Sequence, residues 1–169
     1  LALEIVRNLL DFPGEFNKVF TGADLPLPEN VQAIIRSRLI NLDDQARQIL
    51  LYAAVLGNEF SMERLSAVVG SELPFEVEML DPLIKFGFLY TTSARTAQKT
   101  RLRFAHEIMQ EVVLKEGSPI QLEKIHRRIA DFLADRDQDS SQAALIANHY
   151  LACGESHSAF HWYIKAAGH

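Results

Sequence analysis

Three sets of side chains in this sequence have the types and spacing to do chemistry. Cys153, His157 and His161 recur every four residues, which would align a thiolate and two imidazoles as metal ligands along one helix edge. Gly154 falls inside the set, and a helix break there separates the cysteine from the two histidines. Two ligands at one helix edge are too few for a closed zinc site, so the expectation is a small buried cysteine, two surface histidines and no metal. Arg95, Lys99, Arg101 and Arg103 form the second set, with no acidic residue between Tyr90 and His106, as a basic hairpin facing phosphates would require. The third is His106 alone. It stands where a strand hands over to a helix, so its ring and the first unbonded N–H groups of that helix face one anion together. The plainer reading of the same position is a capping histidine without a ligand.

Other chemistry is missing. No G-x-x-x-x-G-K-[ST] phosphate loop occurs, since none of the eight glycines is followed by lysine, and no G-x-S-x-G nucleophile elbow is present. The chain is therefore expected not to be an enzyme by itself. His126 and His149 read as packing positions of their helices.

The elements that must position these residues follow from periodicity. Residues 1–10 are apolar over most of a helical surface, and three prolines and two glycines between Phe12 and Glu29 read as an irregular connector. Pro28 suits the first turn of a helix whose stripe is Val31, Ile34, Ile35 and Leu39. Asp43 caps a second helix with Ala46, Ile49, Leu50, Ala53 and Ala54 inward, stopped at Gly57; Phe60 lies in a short extended link. Ser61 caps a third helix through Leu65 and Val68. Pro74 opens a fourth that buries Val77, Leu80, Leu83 and Ile84 and is kinked by Pro82. The period then changes to two over Phe88–Thr92 and Arg101–Ala105, with a polar tip between them. This order of helix, short strand, two helices and a strand hairpin is that of a winged helix-turn-helix.

Beyond it, a helix over 106–115 buries Ile108, Met109, Val112 and Val113, and a longer one from Pro119 carries Leu122, Ile125, Ile129, Phe132 and Leu133. Two further helices break at Gly154. Their small residues Ala143, Ala147, Ala159 and Ala166, interleaved with Tyr150, Phe160 and Tyr163, suit closely stacked helix hairpins of the TPR-like kind. One such unit cannot bury its own faces, so further repeats are expected after it. The expected architecture is mainly α, with a small β-hairpin wing and helical repeats: a lid end and linker over 1–28, a winged helix over 29–115, and a helical region over 116–169.

Bulk properties bound the function. The 169 residues are 48% hydrophobic and 23% charged, enough for a real core. A net charge of −5 has the wrong sign for a dedicated binder of nucleic acid or anionic membrane. Glu76, Glu78 and Asp81 stand against Lys85 alone on the helix that would enter a major groove, so duplex binding is not expected. A single cysteine rules out an intrachain disulfide and suits a reducing cytoplasm, and no apolar run approaches the roughly 18 residues of a membrane span. Leu1 opens in mid-pattern, as an excerpt from a longer protein would.

The segments RSRLINLDDQARQILLYAAVLGNEF, RLRFAHEIMQEVV, LEKIHRRIADFL and ANHYLACGESHSAFHWYIKAAG, in this order, resemble the signal-transduction ATPases with numerous domains. The resemblance is closest to cyclase-associated predicted ATPases and to maltose-regulator LuxR activators. It implies an upstream P-loop ATPase domain and lid in cis, ATP or ADP with Mg²⁺ in the full-length protein, and downstream repeats that sense an effector. Leu1-Ala2-Leu3 resembles the end of the family's Gly-x-Pro-Leu-Ala-Leu motif. Phe104-Ala105-His106-Glu107 resembles its Met-His-Asp motif, which implies that His106 reaches the β-phosphate of ADP. Ala105, Glu107 and Leu114 depart from the usual bulky apolar residue, aspartate and tyrosine. The rival expectations are a winged-helix transcription regulator that binds DNA and a repeat scaffold for protein partners.

Overall fold

The computed structural model describes residues 29–70, 75–92, 100–137 and 140–168. The expected helix over 1–10, its connector, Pro74 and the hairpin tip with Arg95 and Lys99 lie outside them. The described chain is mainly helical, with one small antiparallel sheet.

Helix α1 (Glu29–Ile40) buries Val31, Ile35 and Leu39 on one stripe. Asp43 starts α2 (Asp44–Leu56) by accepting the Ala46 amide at 2.7 Å, and Gly57, at φ 116°, ends it where a Cβ would be strained. Sequence periodicity assigned α2 one inward face, yet Leu51, Tyr52 and Val55 are buried as well. Helices from later in the chain cover its other sides.

Strand β1 (Glu59–Ser61) leads into α3 (Met62–Val69), capped by Ser61 through the Arg64 amide. The single kinked helix expected from Pro74 is not present. Glu76 is extended, Val77–Leu80 forms a 3-10 turn, and a separate short helix, α4 (Asp81–Lys85), follows with Pro82 in its first turn. Proline has no N–H to donate, so it starts this helix rather than bending a longer one. The two-piece geometry keeps Leu80 and Leu83 inside but turns Val77 (54% exposed) and Ile84 outward; Phe75 and Met79 pack against the core instead.

Strands β2 (Leu89–Thr92) and β3 (Arg101–Phe104) complete a sheet ordered β1-β3-β2, all antiparallel. Phe60, Leu102 and Phe104 point inward, so Glu59, Arg101 and Arg103 share the outer face, with Arg103 between Glu59 and Tyr90 in register. Helix α5 (Glu107–Glu116) sends Met109, Val112 and Val113 into the same core, with Ile108 at its margin.

Ser118 and Gln121 form a capping box at the head of α6 (Pro119–Ala134), whose Ile125, Ile129 and Leu133 are buried. The Arg128 guanidinium donates to the hydroxyl of buried Tyr52 at 2.7 Å, which ties α6 to α2. Helices α7 (Ala143–Ala152) and α8 (Ser156–Ala167) form an antiparallel pair across Gly154, at φ 80°. Ala143, Ala147 and Ala159 are buried between helices as expected, but Phe160 (65% exposed) points to solvent, and the partly exposed Tyr163 donates its hydroxyl to the Asn148 side-chain oxygen of α7. Among the described residues no helix is long and apolar enough to cross a membrane.

Candidate functional site

Local backbone bonding fixes the place of His106. The Phe104 N–H donates to the Asn58 carbonyl and the Ala105 N–H to the Phe88 carbonyl, which anchors the end of β3 on both sides. His106 then takes an extended conformation, φ −150° and ψ 142°, and stands at the N-cap of α5. Its carbonyl accepts the Met109 amide, while its side chain makes no capping bond to the first turn. His106 thus occupies the N-cap position through its backbone, without a side-chain capping bond. Burial lowers the pKa of the ring, which makes it neutral near pH 7 and leaves one ring nitrogen with a proton to donate.

The backbone on either side of His106 is tied to α2 and the turn after it. Gln110, one turn into α5, donates to the Ala54 carbonyl at 2.7 Å and so holds the start of α5 against the end of α2. Asn58, whose carbonyl binds Phe104, has a buried Oδ1 without a hydrogen-bond partner. The junction thus combines a neutral imidazole and the amides of a helix start as donors, while the buried Asn58 Oδ1, an acceptor, contributes nothing to an anion. It is chemically suited to hydrogen-bond an anion and contains no nucleophile–base pair.

The basic set is divided. Arg101 forms an ion pair with Glu59 at 2.9 Å across the β1–β3 ladder, and the half-buried Arg103 lies opposite the same strand. The sequence shows no acid near these arginines because Glu59 precedes Arg101 by 42 residues and arrives only through strand pairing. Glu76, Glu78 and Asp81 are all exposed, so the surface that would face a DNA groove is acidic.

Cys153 is buried at the end of α7, its thiol donating to the Tyr150 carbonyl at 3.3 Å. His157 and His161 are exposed on α8, with His161 edge-on to Trp162, so the three residues spaced by four do not converge.

Sequence reading missed one arrangement. His126 and His149 fill packing positions, yet their rings face each other, Nδ1 to Nδ1, at 2.9 Å. The available signal was that His149 falls three residues after buried Ile146 and His126 directly follows buried Ile125, on two helices close in sequence. Comparison of the chain with protein-family models, with curated proteins and with solved structures finds no match.

Proposed function

We propose that the chain is a regulatory segment of a nucleotide-switch signalling ATPase: a winged helix over 29–115 followed by the start of a TPR-like helical region over 116–169. In this reading an upstream P-loop domain binds ATP or ADP with Mg²⁺ and carries out any hydrolysis. The segment converts the nucleotide state into a change of domain arrangement, and helical repeats sense the effector in the cytoplasm. The observation that carries it is His106 at the β3–α5 junction, neutral and beside the first-turn amides of a ten-residue helix. A hydrogen bond from that ring to a charged phosphate contributes about 1.5–3 kcal/mol. Formed only in the closed arrangement, it shifts a two-state equilibrium by about ten- to a hundredfold.

A DNA-binding reading draws no support from the sheet, where Arg101 is already paired with Glu59. A scaffold reading assigns no ligand to His106. Calorimetry and footprinting on this chain test the proposal together. The expected result is weak or absent ADP binding, since the phosphate loop lies outside the chain, and no protected duplex. Micromolar nucleotide affinity, or a footprint abolished by Arg101→Glu and Arg103→Glu, would overturn it.

A further inference from the structure

An Nδ1–Nδ1 contact of 2.9 Å between His126 and His149 has strict proton requirements. One ring must carry its hydrogen on Nδ1 and donate it; the other must present a bare Nδ1 lone pair. A first added proton enters at Nε2 of the donating ring and leaves the bond in place. A second can enter only at the accepting Nδ1, which destroys the bond and sets two N–H groups and two positive charges face to face.

The surroundings do not relieve that charge. Arg64 of α3, held by the Gln142 side chain just before α7, adds a further positive charge near His149. Among the carboxylates of the packed elements, Asp131 of α6 accepts from Tyr150, Glu155 just before α8 pairs with Arg127 at 2.6 Å, and Glu123 of α6 and Glu63 of α3 are exposed. Asp135 is exposed beyond the end of α6, the Cys153 thiol is turned to the Tyr150 carbonyl, and His157, His161 and Lys165 of α8 face solvent. His149 itself is only 6% exposed, so water cannot solvate an imidazolium there.

We propose that His126 and His149 form a proton-operated latch between α6 and α7. As a neutral pair they hold the α7–α8 hairpin on α6; doubly protonated, they release it and uncover the apolar stripe of Ile125, Ile129, Ala143, Ile146 and Ala147. The latch is independent of the nucleotide reading and lies on helices other than the one that His106 starts. In accord with the geometry, burial first, then His126 and Arg64, push the His149 pKa from 6.5 down to about 4, and burial lowers that of His126.

Hydrogen exchange on the chain at pH 7 and pH 4, corrected for intrinsic rates, reads the latch directly. His149 alone raises the opening equilibrium of α7 and α8 by about a hundredfold over that interval, while amides of α2 change far less. In His126→Gln/His149→Gln the excess opening of α7–α8 over α2 is expected to vanish. Should that variant not fold, nitrogen NMR of the wild-type imidazoles decides: one ring protonated on Nδ1 and the other on Nε2, both titrating below the ordinary range. Two Nε2–H rings titrating near 6.5, or α7–α8 protection that falls in step with α2, would overturn the proposal.

Discussion

The core around α2 and the sheet and the α7–α8 hairpin differ in what holds them in place. Around α2, Ile49, Leu50, Ala53, Leu65, Leu83, Phe88 and Leu102 are fully enclosed, with side chains from α1, α3, α4, α5 and all three strands closing one another's gaps. Helix α8 buries Ala159 and Trp162 but exposes Phe160, Tyr163 and Ile164 (57% exposed) along its other face. The hairpin meets α6 through a narrower apolar seam supplemented by polar pairs: His126–His149, Asp131–Tyr150 and Arg127–Glu155, with Arg64–Gln142 linking α3. Apolar volume responds little to protons, whereas paired imidazoles respond steeply. The first region is thus built as a rigid body and the second as an attachment that solution conditions can loosen.

The largest expected effect breaks the rigid body. Leu50→Ala opens a cavity at a fully buried position and is expected to cost about 2–5 kcal/mol in denaturant unfolding, because neighbours on several elements cannot all collapse into it. A loss below about 1 kcal/mol would mean that the core around α2 is loose, and the contrast between the two regions would fail.

Acid should act next, and selectively. The folded-state pKa of His149, about 4, lies below its unfolded value of 6.5, so the unfolded chain binds this proton more tightly. The stability it contributes is complete above about pH 6.5, is lost as the pH falls through the window to about 4, and is constant below that. His126 and His106, both lowered by burial, contribute with the same sign. Thermal melts between pH 7 and pH 4 are expected to show this decline, with the hairpin leading; a melting temperature that rises on acidification would contradict it. The smallest effect should come from Phe160→Ala, within about 0.5 kcal/mol, since that side chain packs little within the chain. A larger loss would show that the hairpin's outer face is already covered in solution.

Local signals were legible and pairings between distant segments were not. Asp43, Ser61, Gly57 and Pro119 each act through backbone geometry within a few residues, and each stands at the helix end its chemistry predicts. Val77 and Ile84 fit a helical stripe by spacing, but the change from a 3-10 turn to a short helix at Pro82 rotates them outward, a departure that an ideal 3.6-residue period does not contain. The position of His106 between strand and helix was readable from the change of period alone. The neutralisation of Arg101 by Glu59 and the meeting of His126 with His149 were not, because each depends on how separate elements pack.

The central claim is that His106 links this segment to the phosphate of a bound nucleotide. The most direct test is the rate of ADP release from a polypeptide that joins this segment to the proposed P-loop domain, with His106 intact, as His106→Ala and as His106→Asp, and with thermal melting as the control for folding. The account predicts normal melting, ADP release faster by about ten- to a hundredfold in His106→Ala, and a further increase in His106→Asp, where a carboxylate repels the phosphate. Wild-type ADP retention in both variants, with unchanged melting, would reduce His106 to a structural residue of the β3–α5 junction and remove the basis for the switch.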